Sequence, residues 1–259
     1  MVDFLDTLAL EAARRIGEGY YGLGGARRKS PVSLKESVIK CEGAAIIAEV
    51  KRRSPSRGAL KRRLNLRRLV SEIEEGGGAG ISILTEPKRF GGSLKDLERA
   101  RKSTSLPLLM KDIIISPIQV EAAANRGADA VLLIKTLYER SYSKVDISEM
   151  IDYAHSLGLE VLLETHTEGE FRSALNLNAD LIGINNRDLR TLNVSLDVSR
   201  RILSRNKCGG RIVVSESGIK SREDVKLLYA YGARAFLVGS SIMLAKNVKE
   251  KIKELASVP

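Results

Sequence analysis

A carboxylate and an ammonium two residues apart, Glu49 and Lys51, close one short apolar run of this chain, and a single lysine, Lys111, closes another. Glu164 and Asn185 end two further runs, Arg187 follows at once, and Glu216 sits inside Ser215-Glu216-Ser217-Gly218. These are residue types that move protons. On an extended strand Glu49 and Lys51 share a side, where they can stabilise each other or shuttle a proton; an ion pair that only holds the fold is the alternative. A partly desolvated Lys111 can act as an acid or electrophile toward a carbonyl, or form a Schiff base with one. Asn185 adds a hydrogen-bonding amide, and the planar guanidinium of Arg187 suits a carboxylate. Gly218 and Gly239-Ser240 let backbone N–H groups approach phosphate oxygens, with a following helix start to favour the dianion.

Eight apolar runs must position these groups: Ala45–Val50, Ile81–Leu84, Leu108–Met110, Ala130–Ile134, Val161–Leu163, Leu181–Ile184, Ile212–Val214 and Ala235–Val238. Segments of helical periodicity separate them, so the chain alternates strand and helix, which predicts a parallel sheet and, with eight units, a closed (β/α)8 TIM barrel. In that fold the carboxyl ends of the strands form the reactive face, and the loops after strands seven and eight make a recurrent phosphate cradle. The turns Gly78-Ala79-Gly80, Gly127-Ala128-Asp129, Asn178-Ala179-Asp180 and Gly232-Ala233-Arg234 each place Gly or Asn as a left-handed helix stop before an even-numbered strand.

Residues 1–44 precede the first strand as a helical extension packed on the barrel, with Val2–Gly17 as a helix presenting Phe4, Leu5, Leu8 and Ala12 on one face and Gly22–Ser30 as a loop. Ser241–Leu255 reads as one closing amphipathic helix. Ser116-Pro117 and the pair Ser221/Asp224 mark helix starts. Residues 1–259 are expected to form a single domain.

The chain has 43 Lys and Arg against 32 Asp and Glu, a net charge of +11. A nucleic-acid surface over Lys51 to Arg68 is one reading. The spread of the charge, the interleaved acids and the absence of Trp or a nucleic-acid-binding motif favour the other, an anionic small substrate drawn in by the field. The two cysteines, Cys41 and Cys208, match neither metal spacing nor a disulfide framework. With no signal peptide and no apolar stretch long enough to span a bilayer, a cytoplasmic enzyme is expected, without membrane or nucleic-acid partners.

The order of motifs is specific. Ile46-Ile47-Ala48-Glu49-Val50-Lys51-Arg52-Arg53-Ser54-Pro55-Ser56-Arg57-Gly58, Ser82-Ile83-Leu84-Thr85-Glu86-Pro87-Lys88-Arg89-Phe90-Gly91-Gly92-Ser93, Leu109-Met110-Lys111-Asp112, Ile182-Gly183-Ile184-Asn185-Asn186-Arg187-Asp188-Leu189, Val214-Ser215-Glu216-Ser217-Gly218-Ile219 and Leu237-Val238-Gly239-Ser240 resemble indole-3-glycerol-phosphate synthase. The resemblance spans essentially the whole chain. It implies a step of tryptophan biosynthesis: 1-(2-carboxyphenylamino)-1-deoxyribulose 5-phosphate, a phosphorylated anthranilate-derived substrate, closes to indole-3-glycerol phosphate with loss of CO2 and water. It implies no metal, no organic cofactor and no obligate partner protein.

On that resemblance Lys111 is the general acid at the ribulose carbonyl, Glu164, Glu49 and Lys51 serve the later decarboxylation and dehydration, and Asn185, in the same catalytic set, matches a substrate-contacting position. Ser217, Gly218, Gly239 and Ser240 hold the phosphate. Lys51 and Arg187 are candidates for the carboxylate, and Ser54, Phe90 and Glu216 match substrate-contacting positions. Ile113 stands where many members carry Phe against the anthranilate ring, so ring packing is either looser or supplied by Phe90. A Schiff-base aldolase or a sugar-phosphate isomerase on the same barrel are the competing readings. His155 reads as a surface helix residue, His166 as a loop histidine with lining of the mouth as the alternative, and Tyr20 and Tyr21 as packing of the extension.

Overall fold

A computed structural model describes residues 3–22, 31–54, 58–60 and 64–258. Eight parallel strands close into a barrel: β1 (Ala45–Val50), β2 (Gly80–Leu84), β3 (Leu108–Lys111), β4 (Ala130–Ile134), β5 (Glu160–Thr165), β6 (Leu181–Asn185), β7 (Ile212–Glu216) and β8 (Ala235–Val238), each paired with its neighbours in chain order and β8 with β1. The helices are α1 (Phe4–Gly17), α2 (Leu34–Ile39), α3 (Leu66–Glu75), α4 (Leu94–Arg101), α5 (Pro117–Asn125), α6 (Lys135–Glu139), α7 (Ile147–Ser156), α8 (Glu168–Ala174), α9 (Asp197–Arg205), α10 (Arg222–Ala230), α11 (Ser240–Met243) and α12 (Val248–Ala256). The expected (β/α)8 barrel with its N-terminal helical extension is therefore the observed architecture. Four strands run further than their apolar cores: Lys111, Glu164, Asn185 and Glu216 lie within β3, β5, β6 and β7 rather than beyond them.

Strand alternation divides the apolar residues into two cores. Ile46, Ala48, Ile81, Ile83, Met110, Leu133, Leu163, Ile184 and Phe236 face outward, against the helices. Ile47, Leu109, Leu132, Leu162, Leu181, Val214 and Leu237 face inward and fill the barrel. Each helix shows the complementary stripe; α3 buries Leu66, Leu69, Val70 and Ile73, the i, i+3, i+4, i+7 face. Side chains start these helices as read from sequence: Ser221 and Asp224 form a capping box at α10, and Ser116 with Gln119 does so at α5, where Pro117 occupies the first turn.

The extension divides its work between the two ends of the barrel. On α2, Ser37 Oγ donates to the Ala79 carbonyl just before β2, and Ser33 bonds the Glu160 carboxylate at the start of β5. The helix thus closes the amino end, where Leu34 lies under Gly80. The other end belongs to α1. Arg15, only 5% exposed, sends Nη1 to Glu86 Oε1 at 3.0 Å and Nη2 to Asp112 Oδ1 at 3.4 Å, both acids just past strand ends. Asp112 also accepts from Tyr21 Oη, Thr85 Oγ1 and its neighbour's N–H at Ile113. Tyr20 Oη donates to the Thr85 carbonyl, so both tyrosines pack the extension as expected.

Two expectations need correction, and a third lies partly outside the described residues. The stretch Ser241–Leu255 is two helices, α11 and α12, because Asn247 leaves helical geometry and caps α12 through the Glu250 N–H. Left-handed helix stops occur at Gly77, Gly127 and Gly232 (φ 81°, 84° and 111°), one residue earlier than expected at the first turn, and Asn178 does not adopt that conformation. The 3.6-residue pattern of Val2–Gly17 holds from Phe4 onward, while Val2 and most of Gly22–Ser30 lie outside the described residues. Among the described residues no helix is long and apolar enough to cross a membrane.

Among the described residues, Arg15 is the one cation within ion-pair distance of the two buried acids of the α1 anchor. Replacing it, as in Arg15→Met, strands two carboxylates in the interior and should lower unfolding free energy by about 3–5 kcal/mol, measured by urea denaturation. Glu11→Gln, which breaks the exposed clamp from α1 to Lys88 and Arg89, should cost far less.

Candidate active site

Register explains why the polar residues meet. A barrel interior is filled in layers, each taking side chains from alternate strands. The uppermost inward positions of the odd strands are Glu49, Lys111, Glu164 and Glu216, and in this chain that layer is ionic. Lys111 Nζ lies 2.7 Å from Glu164 Oε2 and 3.0 Å from Glu216 Oε2. Glu164 Oε1 accepts from Asn185 Nδ2 at 3.0 Å. Glu49 and Lys51 form a close ion pair one step away on β1.

The even strands make room for this layer. Gly183 pairs with Glu164 across β5 and β6, and a Cβ there would overlap Glu216 Oε1. At Gly239, beyond β8, a Cβ would overlap Glu49 Oε1 and stand 2.9 Å from Lys51 Nζ. Both glycines are required by close approach of a charged side chain.

Burial and neighbours set the protonation states. Burial alone would deprotonate Lys111, but the charges of Glu164, Glu216 and Glu49 outweigh it and raise its pKa above the ordinary lysine value. Burial also opposes the charge of Glu164; Lys111 and the nearby His166 win, holding that carboxyl well below its usual range. Glu216 goes the other way. Burial and the negative charge of Glu164 overcome Lys111 and push it up to about 8. Lysine 111 is an ammonium, Glu164 a carboxylate, and Glu216 the group that titrates near neutrality.

Two connected hollows flank this layer. The polar one, about 350 Å³, is bounded by Ser217, Gly218, Gly239, Ser240 and Ser241 on the β7 and β8 side, with Lys111 and Glu216 at its inner end. Ser217 and Gly218 are both left-handed (φ 65° and 90°), and Asn186 Nδ2 holds the Ser217 carbonyl at 3.0 Å. Ser241 Oγ donates to the Ile219 carbonyl, tying the two loops together. The expected helix start here is the single turn α11, so its backbone N–H groups, not a long helix dipole, are what this rim offers an anion.

The second hollow, about 90 Å³, is apolar: Phe4, Leu5 and Leu8 of α1, Leu84, Phe90, Ile113, Leu132, Ile134 and Leu189. Glu49, Lys51, Ser54, Lys111, Asn185, Arg187 and Ser217 line it as well. Glu86 holds the Phe90 loop by accepting the N–H groups of Lys88, Arg89 and Phe90. Ile113 stands on this wall, which has a second aromatic ring in Phe4 besides Phe90. The half-buried Arg187 spends one N–H on the Leu192 carbonyl at 2.9 Å, and burial lowers its pKa, with the Glu49 charge opposing.

All thirteen residues singled out from sequence therefore line these hollows or the layer between them. Sequence reading missed four contributors. His166, taken as a loop histidine, has a side chain only 10% exposed, with Nε2 3.2 Å from Glu164 Oε1. Gly183 occupies an inward strand position that alternation could have flagged. Leu132 and Ile134 are the inward residues of β4, recognisable by the same rule. His155, by contrast, sits on α7 at the surface beside Asp180, 2.9 Å away, as expected.

Comparison with known proteins agrees with this geometry. The family described as Indole-3-glycerol phosphate synthase matches residues 22–255. A Sulfurisphaera tokodaii protein named indole-3-glycerol phosphate synthase is 44% identical over 231 residues, covering 88% of this chain and 89% of its own. One of the same name from Desulfosudis oleivorans is 43% identical over 253 residues, covering 96% and 94%. Two solved structures share the fold at low identity. Thiamine phosphate pyrophosphorylase from Pyrococcus furiosus has TM-score 0.58 and 19% identity, over 86% of this chain and 96% of its own. N-acetylmannosamine-6-phosphate 2-epimerase from Clostridium perfringens has TM-score 0.61 and 16% identity, over 84% and 93%. Barrel, ionic layer and sequence together make this chain a member of the indole-3-glycerol phosphate synthase family.

Proposed function

We propose that this chain converts 1-(2-carboxyphenylamino)-1-deoxyribulose 5-phosphate to indole-3-glycerol phosphate, releasing CO2 and water, as a cytoplasmic enzyme of tryptophan biosynthesis. The observation that carries the reading is the position of Lys111: a cation at the boundary between a polar hollow rimmed by two glycine loops and an apolar hollow walled by aromatic rings. The substrate is built the same way, with a phosphosugar at one end and a benzoate at the other.

In this assignment the phosphate rests on the backbone and hydroxyls of Ser217, Gly218, Gly239 and Ser240, and the anthranilate ring enters the wall of Phe90, Phe4 and Ile113. Lys51 and Arg187 face its carboxylate, and Ser54 closes that side. The ring carbon bearing the carboxylate attacks the ribulose carbonyl while Lys111 protonates the carbonyl oxygen. Charge in the ring then drives off CO2 and restores aromaticity. Loss of the new hydroxyl and of one proton from the adjacent methylene completes the indole. Glu164, ionised and oriented by Asn185, is placed to take that proton, and the Glu49/Lys51 pair balances charge as the carboxylate leaves.

A Schiff-base aldolase on a phosphorylated sugar would need Lys111 as the free amine. Two carboxylates on its ammonium oppose that state, which favours proton donation over imine formation.

The direct test is a fluorescence assay of indole formation from the carboxyphenylamino-deoxyribulose phosphate, in EDTA and without added cofactor. Product is expected; a folded protein that forms none would return the search to other phosphosugars. Lys111→Met should lower turnover by about 10²–10⁴-fold, the usual range for a general acid, with the unfolding midpoint little changed. Ser240→Asp, which sets a charge against the phosphate, should chiefly raise KM; an unchanged KM would move the phosphate elsewhere.

A further inference from the structure

The oxygen that enters this reaction as a carbonyl leaves as water, so two protons must reach the same atom. Rested on the function proposed above, that chemistry calls for two acids within reach of one oxygen. Lys111 is one. The other must lie beside it, be neutral before reaction, and face the hollow that holds the sugar.

The hydrogen-bond pattern distinguishes the carboxyl groups. Glu164 is surrounded by donors: Lys111 on one oxygen, Asn185 on the other, and His166 close behind. It is held as an anion. Glu49 is neutralised by its own partner, Lys51. Glu216 touches Lys111 with Oε2 at 3.0 Å, while its Oε1 is buried, has no hydrogen-bond partner among the described residues and rests over Gly183. It also lines the polar hollow. Within the bonded cluster, Lys111 carries +1 against −2 if Glu164 and Glu216 were both ionised, a net of −1 on those three groups. One bound proton removes that excess.

We propose that Glu216 enters the reaction as a neutral carboxylic acid and delivers the second proton, to the hydroxyl that leaves in the dehydration. The first proton goes from Lys111 to the carbonyl oxygen at ring closure. After CO2 has left, the aniline nitrogen pushes electrons through the ring, the carbon–oxygen bond breaks, and the hydroxyl takes the Glu216 proton and departs as water. A base, Glu164, removes one proton from the methylene carbon. Two protons are thus given and one recovered; the other comes from solvent, matching the proton that decarboxylation of an anionic substrate consumes.

The groups that face Glu216 are Lys111 from β3, Glu164 and His166 from β5 and its following loop, Glu49 and Lys51 from β1, and Arg187 after β6, with Lys220 and Asp224 at the outer rim of the hollow. Burial and the Glu164 charge raise the Glu216 pKa to about 8. The sign follows: the acid is present below that value and lost as pH rises through it, so dehydration should fade on the alkaline side.

Glu216→Gln keeps the size and the contact to Lys111 but carries no labile acid. In a single-turnover experiment with the carboxyphenylamino-deoxyribulose phosphate, this variant should release CO2 in a burst while indole fluorescence lags, with steady-state indole formation down by about 10²–10⁴-fold. The alkaline limb near pH 8 should disappear from what remains, and Glu216→Asp, which restores an acid, should recover part of the indole rate. Indole formed by Glu216→Gln at the wild-type rate with the limb intact would overturn the proposal, as would equal loss of CO2 and indole. Infrared spectra provide a measurement free of turnover: the carbonyl band of a buried protonated carboxyl should be present in the wild-type protein at pH 7 and missing from Glu216→Gln. Its absence from the wild type would also overturn the assignment. Failure of the wild-type protein itself to release CO2 or form indole would instead count against the substrate, a separate result.

Discussion

One ammonium among three carboxylates, set at the mouth of a barrel, is the constraint to which the rest of this structure answers. Charges of this kind are costly to bury unless each is paired, and the pairs here are within 3.0 Å. The barrel supplies the geometry: parallel strands in fixed register raise the same inward position of alternate strands to one height. Where other layers put Ile47, Leu109, Leu162 and Val214, this one puts Glu49, Lys111, Glu164 and Glu216. An apolar core beneath and two loop rims above keep water from dissolving the pairs, so the differences in proton affinity among chemically identical glutamates survive.

The same constraint explains the extension. A reactive layer open at the top of a barrel needs a wall that is apolar on the side of an aromatic ring, and β-α loops alone leave that wall incomplete. Phe4, Leu5 and Leu8 supply it. They come from a helix that is held through Arg15, whose two acids lie within two residues of the ends of β2 and β3. Asp112 is the residue next to Lys111, so the anchor of the helix and the seat of the cation are built from adjacent positions of one strand end.

How much of this could be read from the residues follows from the range of the interactions. Strand alternation and the polar ends of apolar runs are local, and they expose Glu49, Lys51, Lys111, Glu164, Asn185 and Glu216 at once. The paired glycine loops are local too. Arg15 is not: it continues the Leu5, Leu8 and Ala12 face of α1, which separates it from Arg14, but its partners stand 71 and 97 residues away and nothing near it in the chain names them. His166 follows a strand by one residue, where direction depends on how the loop leaves the barrel. The break between α11 and α12 was hidden because Ile242, Ala245, Val248 and Ile252 keep an apolar spacing across it, while the decisive residue, Asn247, acts through a cap. Position 178 shows the reverse error, an asparagine able to adopt a left-handed conformation in a turn that does not use it.

Gly183 and Gly239 have a consequence for how such a chain can change over generations. Each leaves a hole that a neighbouring glutamate fills, so the two positions of each couple, 183 with 216 and 239 with 49, do not vary independently. A side chain gained at either glycine evicts an oxygen from the ionic layer; a carboxylate lost leaves a void that only a larger residue at the glycine would refill. Divergence toward other chemistry on this barrel therefore proceeds through compensated double replacements, and the order in which they arise is itself restricted.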